Sequence, residues 1–209
     1  MIILAINGAS ASGKSTYAHA LAEAIFKQRS ISTLVVTEDS YYRANDTYSF
    51  DERALLNYDH PNSFEHSMLV ENLKELRTSK TTSIPQYCYK THNRKPDFKT
   101  IESPGCLILE GIHLLTNPDL AELFDYRIFI DVPLDICLAR RVARDTVERS
   151  REVPDIIRQY MEQVRPMFLD YIEPNKYRAD LQLDGTQPTE LIVEQTFNTK
   201  TFIEKLTVR

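Results

Sequence analysis

Glycine, cysteine and long apolar runs are scarce in this sequence of 209 residues. Only five glycines occur, and the three cysteines (Cys88, Cys106 and Cys137) lie far apart without a C-x-x-C pair. An odd and unpatterned set of cysteines predicts reduced thiols and a cytoplasmic location. The apolar run at residues 1–6 is too short to span a bilayer or to form the hydrophobic region of a signal segment, so it predicts a core strand.

An excess of basic residues is also missing. Lysine and arginine total 25 against 30 aspartates and glutamates, which leaves a net charge of -5. No overall positive field attracts nucleic acid, and we expect neither nucleic acid nor a membrane as a partner. A small phosphorylated substrate stays compatible with this composition, because basic side chains can cluster locally. The length predicts a single domain over residues 1–209.

Short apolar runs alternate with longer helical patterns along the chain. Strands are predicted at residues 2–6, 33–36, 106–109 and 127–132. Their runs are continuous rather than alternating, which is typical of strands covered on both faces. Helices are predicted from the apolar stripes Tyr17, Ala18, Leu21, Ala22, Ile25 and Leu69, Val70, Leu73, Leu76, and over residues 135–147, 154–171 and 189–206. Strands separated by helices predict an α/β fold with a mostly parallel sheet.

Residues 83–101 interrupt this alternation. The segment carries Pro85, Pro96, four basic residues and three aromatic residues without a helical stripe. We expect a β-hairpin or insertion that projects from the sheet. Substrate pockets are often built from such segments.

Residues 8–15 match the phosphate-binding pattern G-x-x-x-x-G-K-[ST] at every position. A predicted strand precedes the pattern and a predicted helix follows it, which makes a chance Gly/Ser turn the weaker alternative. Gly8 and Gly13 permit a tight turn whose N–H groups face phosphate oxygens, and the helix N-terminus adds its positive end. Lys14 supplies a charge to the β- and γ-phosphates, and Ser15 can hold Mg²⁺. The predicted nucleotide-binding residues are Gly8, Ala9, Ser10, Ala11, Ser12, Gly13, Lys14, Ser15 and Thr16.

Carboxylates follow two of the predicted strands. Glu110 ends an apolar run, and ligands gather at the carboxyl ends of parallel strands, so Glu110 is a candidate Mg²⁺ ligand or a solvated strand-end residue. Asp39 follows the second strand, beside the predicted phosphate loop. A kinase needs a carboxylate that accepts the proton of the attacking hydroxyl, and Asp39 is the candidate, with Glu38 as its competitor. Either residue could instead cap a turn.

Five arginines fall within residues 140–151: Arg140, Arg141, Arg144, Arg149 and Arg151. Arg141 and Arg144 share a helix face, and Arg149 and Arg151 are predicted in a loop between two helices. Such a segment, over residues 140–160, suits a lid that stabilises the transferring phosphoryl group and excludes water. The alternative is a solvated charged face in which Arg144 pairs with Glu148.

From Ile3 to about Gly185 the chain resembles the uridine–cytidine kinase family. The phosphate loop alone is shared by many nucleotide-binding proteins, and the resemblance depends on several further segments in combination. These are residues 39–43, 57–64, 84–87, 92–95, 110–112, 140–145 and 148–151.

This resemblance implies a P-loop NTPase-type three-layer sandwich with a mostly parallel sheet, a β-hairpin insertion and a helical arginine lid. It implies phosphorylation of the 5′-hydroxyl of uridine or cytidine by ATP or GTP with Mg²⁺, giving UMP or CMP in pyrimidine salvage. It also implies a homotetramer and feedback by pyrimidine triphosphates.

The resemblance further implies a role for each matched position. Asp39 would be the general base, Asp59 would hold ribose hydroxyls, and Tyr87 and His92 would contact the base with Tyr89 near it. Arg141, Arg151 and Gln159 would reach the nucleoside, Arg144, Arg149 and Arg151 would close over the phosphates, and Ser15, Asp39 and Glu110 would surround Mg²⁺.

Two segments depart from the family pattern. Cys88 and Tyr89 stand where an acidic residue and a phenylalanine are more usual, and residues 184–188 fit the adenine-side loop only loosely. His113 has no assigned role and is expected to be a packing or surface histidine.

Two other functions compete. A related kinase such as phosphoribulokinase would need a phosphate pocket on the acceptor side, whereas Tyr87, Tyr89 and His92 favour a flat ring. A nucleotide-dependent switch would need switch loops that a partner reads.

Overall fold

A five-stranded parallel sheet forms the centre of the molecule, in the strand order β2–β7–β1–β8–β9. The structure is a computed structural model and describes residues 1–207. The strands of this sheet are β1 (Ile2–Gly8), β2 (Thr33–Thr37), β7 (Cys106–Gly111), β8 (Tyr126–Asp131) and β9 (Leu181–Asp184). The four strands predicted from apolar runs are confirmed. The edge strand β9 was not predicted, because it is short and alternates exposed and covered residues instead of forming an apolar run.

Helices cover both faces of the sheet, which confirms the three-layer sandwich. On one face Tyr17, Leu21 and Ile25 pack against the sheet with Phe202, and on the other face Leu69 and Leu73 do so. The helices are α1 (Lys14–Arg29), α2 (Phe50–Ala54), α3 (His66–Ser79), α4 (Pro118–Ala121), α5 (Leu134–Arg149), α6 (Val153–Gln159), α7 (Arg165–Met167), α8 (Thr189–Phe197) and α9 (Lys200–Thr207). Within residues 1–207, no helix has the length and apolar character needed to cross a membrane.

The strand register brings the functional ends of three strands together. Glu110 of β7 pairs with Ile6 of β1 on one side and with Thr37 of β2 on the other. Both β1 and β7 are buried almost throughout, since they lie in the middle of the sheet. The phosphate loop after β1, Asp39 after β2 and Glu110 therefore lie at one edge of the sheet.

Two of the predicted helix boundaries are wrong. Residues 189–206 form two helices rather than one, because Thr199 accepts the backbone hydrogen bonds of Phe202 and Ile203 and begins a new helix. This break turns the Phe202 ring onto Phe197 and Tyr126. Helix α5 continues to Arg149, so this arginine lies on the helix and not in the predicted loop.

The helix predicted at residues 154–171 is confirmed as one helical stretch over residues 153–172. It contains two π-helical turns, Tyr160–Val164 and Phe168–Ile172, with α7 between them. Such turns often occur near functional sites, and the first of the two begins directly after Gln159. A left-handed residue, Ser150 (φ 53°), joins α5 to α6.

The insertion predicted at residues 83–101 is a double hairpin over residues 81–102. It contains two antiparallel pairs, β3 (Thr81–Ile84) with β6 (Lys99–Glu102) and β4 (Tyr87–Cys88) with β5 (Asn93–Arg94). Arg94 fastens it to the body of the protein, donating to Glu65 Oε2 at 2.8 Å and to the Tyr42 carbonyl at 2.7 Å. The hairpin is thereby held on the same side as Asp39.

Candidate active site

The phosphate loop connects β1 to α1 and depends on close backbone packing. A Cβ atom on Gly8 would lie 2.7 Å from the Ile130 carbonyl oxygen of β8, so only glycine fits at this position. Gly13 has φ 90°, a left-handed conformation that glycine adopts readily, and α1 begins at the next residue. The sequence pattern and the structure agree on where the loop begins and ends.

The N–H groups in the first turn of α1 are free to bind an anion. Among the described residues no side chain caps this turn, and the turn contains no acidic residue. Lys14 folds back over the loop, where its ammonium group donates to the Ala9 carbonyl at 3.4 Å. Uncapped N–H groups, a helix dipole and a lysine together suit the phosphates of a nucleotide.

Asp39 is half-buried at the carboxyl end of β2, with its carboxylate facing the insertion. Its Oδ2 atom accepts a hydrogen bond from the Tyr89 hydroxyl at 2.6 Å. Burial raises the pKa of Asp39 to about 6, the charge of Glu110 adds to this effect, and the Tyr89 hydrogen bond and Lys14 oppose it. A carboxylate with this pKa is well matched to accepting a proton near neutral pH.

Glu38, the competing candidate for the base, points into the core. It is fully buried, and its two carboxylate oxygens lie 2.8 Å from His66 Nε2 and 2.9 Å from the main-chain nitrogen of His113. Burial acts to raise the pKa of Glu38, but the hydrogen bond and charge of His66 outweigh it and hold the pKa below its ordinary value. With both oxygens engaged, Glu38 is not available to a substrate hydroxyl.

The oxygen ligands predicted for Mg²⁺ lie around the phosphate loop. Glu110 is buried at the end of β7, and its charge acts on Asp39 across the sheet edge. No group of three histidine, cysteine, aspartate or glutamate side chains within residues 1–207 forms a metal site by itself. Two carboxylates and the Ser15 hydroxyl fit a hard cation that takes its remaining ligands from phosphates and water, as Mg²⁺ commonly does.

A wall of aromatic rings faces this site from the acceptor side. The Tyr42 ring stacks on Phe64 at 4.3 Å between centroids, contacts Tyr87 at 4.8 Å and meets the edge of Tyr58 at 5.2 Å. The His92 ring stacks on Tyr58 at 5.9 Å. These residues join the insertion to the main body, with Tyr42 and Phe64 buried and the rings of Tyr58, Tyr87 and His92 partly exposed.

Tyr89 and His92 extend this wall toward the arginines. The Tyr89 side chain is 47% exposed, and its ring lies 5.0 Å from the guanidinium carbon of Arg149. Burial lowers the pKa of His92, and the charges of Arg151 and Arg149 lower it further, which favours the neutral imidazole. A neutral His92 has one donor and one acceptor nitrogen for a substrate ring.

Asp59 is buried, and its main chain is held on both sides. Its N–H donates to Asn57 Oδ1 at 3.0 Å, and its carbonyl oxygen lies 2.6 Å from His113 Nε2. His113 is fully buried, which decides the earlier choice between a packing and a surface histidine in favour of packing. Burial lowers the pKa of the Arg141 guanidinium. The negative charge of Asp59 opposes this effect, because it attracts the charged form of Arg141.

The arginines surround one buried carboxylate, that of Asp145. Its side chain is fully buried, and its oxygens lie 2.8 Å from Arg144, 3.3 Å from Arg151, 3.6 Å from Arg149 and 3.7 Å from Arg141. The solvated face with an Arg144–Glu148 pair is therefore wrong, because Arg144 pairs with Asp145. We call Asp145 and its four arginines the arginine cluster.

Arg141 joins the arginine cluster to the phosphate loop, and Gln159 links two arginines of this cluster. Its Oε1 atom accepts hydrogen bonds from Arg141 at 3.0 Å and from Arg151 at 2.7 Å. Arg141 also donates to Ser10 Oγ of the loop at 2.9 Å. The structure thus brings Arg141, Arg151 and Gln159 together, and their contact with a nucleoside stays a prediction.

Comparison with known proteins identifies the family. The sequence model of the phosphoribulokinase/uridine kinase family matches residues 3–192. The chain belongs to this family. A uridine kinase from Shewanella sp. (strain W3-18-1) and one from Aeromonas salmonicida (strain A449) are each 45% identical over 181 residues, or 86% of this chain and 85% of each relative. The solved phosphoribulokinase from Rhodobacter spheroides has the same fold, with a TM-score of 0.64 and 17% identity over 90% of this chain and 73% of its own.

A cleft adjoins the phosphate loop on the side of Arg140 and Gly185. Its volume is about 250 Å³, and Gly13, Arg140, Gly185 and Gln187 contribute to its lining. Arg140 donates to the Gly185 carbonyl at 3.1 Å, so it belongs to this cleft and not to the arginine cluster. The loosely matching segment at residues 184–188 therefore lies beside the phosphate loop.

Several residues of the site were missed in the sequence. Asp145 lies four residues after Arg141 and four before Arg149, and this helical spacing could have identified it. Tyr58, next to Asp59, carries no such signal, because only the folded insertion brings His92 onto it. The contact of Glu38 with His113 joins the segments that follow β2 and β7 and has no local signature.

Proposed function

We propose that the protein transfers the γ-phosphoryl group of ATP or GTP to the 5′-hydroxyl of uridine, and also of cytidine. The observation that carries the proposal is the position of Asp39, which lies between the phosphate loop and the aromatic wall of the insertion and has its pKa raised to about 6 by burial. The uridine kinases that are 45% identical to the chain support a pyrimidine nucleoside as the acceptor.

The donor binds at the phosphate loop. Main-chain N–H groups of residues 8–16 and the α1 N-terminus surround its phosphates, and Lys14 neutralises the charge on the β- and γ-phosphates. Its base enters the cleft lined by Gln187 and Gly185. Ser15, Asp39 and Glu110 would hold Mg²⁺, which would supply positive charge beside the transferring group.

The acceptor binds on the opposite side. Asp59 accepts hydrogen bonds from ribose hydroxyls, since a carboxylate offers only acceptors. Tyr87 and Tyr89 pack against the pyrimidine, and His92 bonds its polar edge. Arg141 and Gln159, which already bond each other, reach the nucleoside from the arginine cluster.

In the chemical step, Asp39 accepts the proton of the 5′-hydroxyl as the nucleoside oxygen bonds to the γ-phosphorus. The bond from that phosphorus to the β–γ bridging oxygen breaks, and the nucleoside diphosphate leaves. Arg144, Arg149 and Arg151 stabilise the charge on the phosphoryl oxygens, acting as the lid over residues 140–160. Asp145 holds these guanidinium groups near the loop before the donor arrives.

A sugar phosphate, the acceptor of a phosphoribulokinase, is the second candidate. It needs a pocket for its phosphate group, whereas the aromatic wall suits a flat ring. A regulatory switch that binds only the nucleotide would not use Asp39 or the aromatic wall.

A homotetramer and a cytoplasmic location remain predictions. In the described part of the chain all three cysteines are free thiols, as is usual in a reducing compartment.

Steady-state phosphorylation of an acceptor panel tests the proposal. The panel contains uridine, cytidine, adenosine, ribulose 5-phosphate and pantothenate, each with Mg-ATP and with Mg-GTP. We expect a pyrimidine nucleoside to have the highest kcat/KM with either donor. A higher value for ribulose 5-phosphate, or nucleotide consumption indifferent to every acceptor, contradicts the proposal.

A further inference from the structure

Three titratable side chains form a buried cluster that the proposed reaction does not use. Glu38 and His113 are fully buried, and His66 is 8% exposed. Glu38 accepts from the main-chain N–H of His113 at 2.9 Å and lies 2.8 Å from His66 Nε2. Burying a carboxylate is costly unless its hydrogen bonds are satisfied, so a cluster of this kind calls for a structural or functional reason.

Glu38 packs directly against Gly111, the residue after Glu110. A Cβ atom on Gly111 would lie 2.1 Å from Glu38 Oε2 and 2.4 Å from Glu38 Cβ. The absence of a side chain at Gly111 therefore makes the space that Glu38 occupies. Because Glu38 precedes Asp39, this contact fixes the residue pair at the end of β2 against the end of β7.

His113 extends the connection to Asp59. A carbonyl oxygen only accepts hydrogen bonds, so His113 Nε2, 2.6 Å from the Asp59 carbonyl, carries the proton and donates. The other ring nitrogen then accepts from the Thr116 hydroxyl at 3.2 Å. The Phe64 ring lies between the two histidines, stacked on His66 at 5.5 Å and edge-on to His113 at 5.7 Å.

We propose that Glu38 and His113 are positioning residues that set the distance between Asp39 and Asp59. The inference rests on the proposed function, in which Asp39 accepts the 5′-hydroxyl proton and Asp59 holds the ribose. The two residues are on different segments, and the chain of Glu38, the His113 main chain and the His113 ring is a direct hydrogen-bonded path between them. Loss of this hydrogen-bonded path moves the ribose relative to Asp39, the proposed general base. The phosphate loop, which connects β1 to α1, keeps its geometry.

A conservative substitution separates positioning from charge. In Glu38→Gln the amide oxygen accepts from the His113 N–H, and the amide nitrogen donates to His66 Nε2 once that ring adopts its other tautomer. Glu38→Gln thus keeps both contacts without the negative charge. Glu38→Ala loses both contacts, and His113→Phe keeps the ring volume but loses the donor to Asp59.

The experiment measures KM for uridine, kcat, Mg-ATP affinity by calorimetry and Tm for wild type, Glu38→Ala, Glu38→Gln and His113→Phe. Thr196→Val is the matched control, since Thr196 is fully buried and bonds Tyr17 at 2.6 Å, on the far side of α1 from the acceptor. We expect Glu38→Ala and His113→Phe to raise uridine KM or lower kcat by about tenfold or more, with a smaller change in Mg-ATP affinity, because the phosphate loop and Lys14 remain in place. Glu38→Gln and Thr196→Val stay near wild type in uridine kinetics.

Two results overturn the inference. One is an unchanged uridine KM and kcat in His113→Phe, which decides the matter even if Glu38→Ala does not fold. The other is a Glu38→Gln enzyme as impaired as Glu38→Ala, because the charge of Glu38 would then matter and not its hydrogen bonds. Failure of the wild type to phosphorylate any pyrimidine nucleoside is a different result, which contradicts the proposed function itself.

Discussion

Asp39 and Glu38 are neighbours that carry the same functional group, and their surroundings give them different properties. Glu38 has both oxygens bonded inside the core, and the pKa of its carboxyl is lowered. Asp39 faces the cleft with one bond to Tyr89, and burial raises its pKa to about 6. A protonatable carboxylate open to the acceptor beside a fixed one in the core is a suitable arrangement for phosphoryl transfer to a hydroxyl.

Replacement of Asp39 tests its role directly. We expect Asp39→Asn to lower kcat by about 100- to 10,000-fold, because an amide cannot accept the hydroxyl proton. Nucleotide binding changes little by comparison, since Lys14 and the loop remain. Asp119→Asn, at an exposed aspartate in the first turn of α4, is the control and retains wild-type turnover. Near-normal turnover by Asp39→Asn would show that another group is the base.

At the scale of elements, the insertion and the end of α5 meet directly across the cleft. Arg149, the last residue of α5, lies over the Tyr89 ring, and Tyr89 in turn bonds Asp39. The two segments that sequence reasoning treated separately, the hairpin and the lid, therefore contact each other beside the proposed base. Asp145 and Gln159 hold the remaining arginines on the same side.

Removal of Arg149 tests the proposed lid. We expect Arg149→Ala to lower kcat by about 100-fold, because a charge that stabilises the phosphoryl oxygens is lost. Arg158→Ala is the matched control, since Arg158 lies on α6 with a 65% exposed side chain paired to Asp155. The control retains wild-type kinetics. Equal effects of the two substitutions on kcat would argue against a specific role for Arg149.

The arginine cluster also predicts a pH-dependent stability. Burial acts to raise the pKa of Asp145, but the nearby arginines, Arg144 foremost, outweigh it and hold the pKa below its ordinary value. A carboxyl whose pKa is lower in the folded state stabilises the fold above its unfolded pKa of about 3.9, and this stabilisation is lost as pH falls through the folded pKa.

We therefore expect Asp145→Asn to lower the free energy of unfolding by about 2 kcal/mol at pH 7, since it leaves arginines without their partner. Urea denaturation of both proteins from pH 7 down to pH 3 measures the difference. The difference persists down to about pH 4 and shrinks below it, because Asp145 of the unfolded wild type then binds a proton that the folded state binds only at lower pH. A difference that is constant over the whole range contradicts the assignment of Asp145 as the ionised partner.

At the scale of the whole molecule, the sequence predicts the sheet and the phosphate loop well because both depend on local patterns. Continuous apolar runs identify β1, β7 and β8, since strands in the middle of a covered sheet are buried on both faces, and a shorter apolar run identifies the edge strand β2. The loop pattern is set by steric demands at Gly8 and Gly13 that few other sequences meet.

Other features could not be predicted because they depend on contacts between distant segments. Strand β9 pairs only at the sheet edge, and α8 ends where Thr199 begins α9. Of the site residues, Asp59, Tyr87 and His92 followed from the family resemblance, and their spacing alone would not have selected them. Glu38 and His113 contact each other 75 residues apart, which no periodicity reveals.

The most direct test of the account is a crystal structure with uridine, Mg²⁺ and a non-hydrolysable ATP analogue bound. We expect the triphosphate on residues 8–16, the pyrimidine beside Tyr87 and His92, and the uridine 5′-oxygen within about 3.2 Å of the Asp39 carboxylate, in line with the γ-phosphorus. A nucleoside bound away from Asp39, or a triphosphate absent from the phosphate loop, would contradict the account.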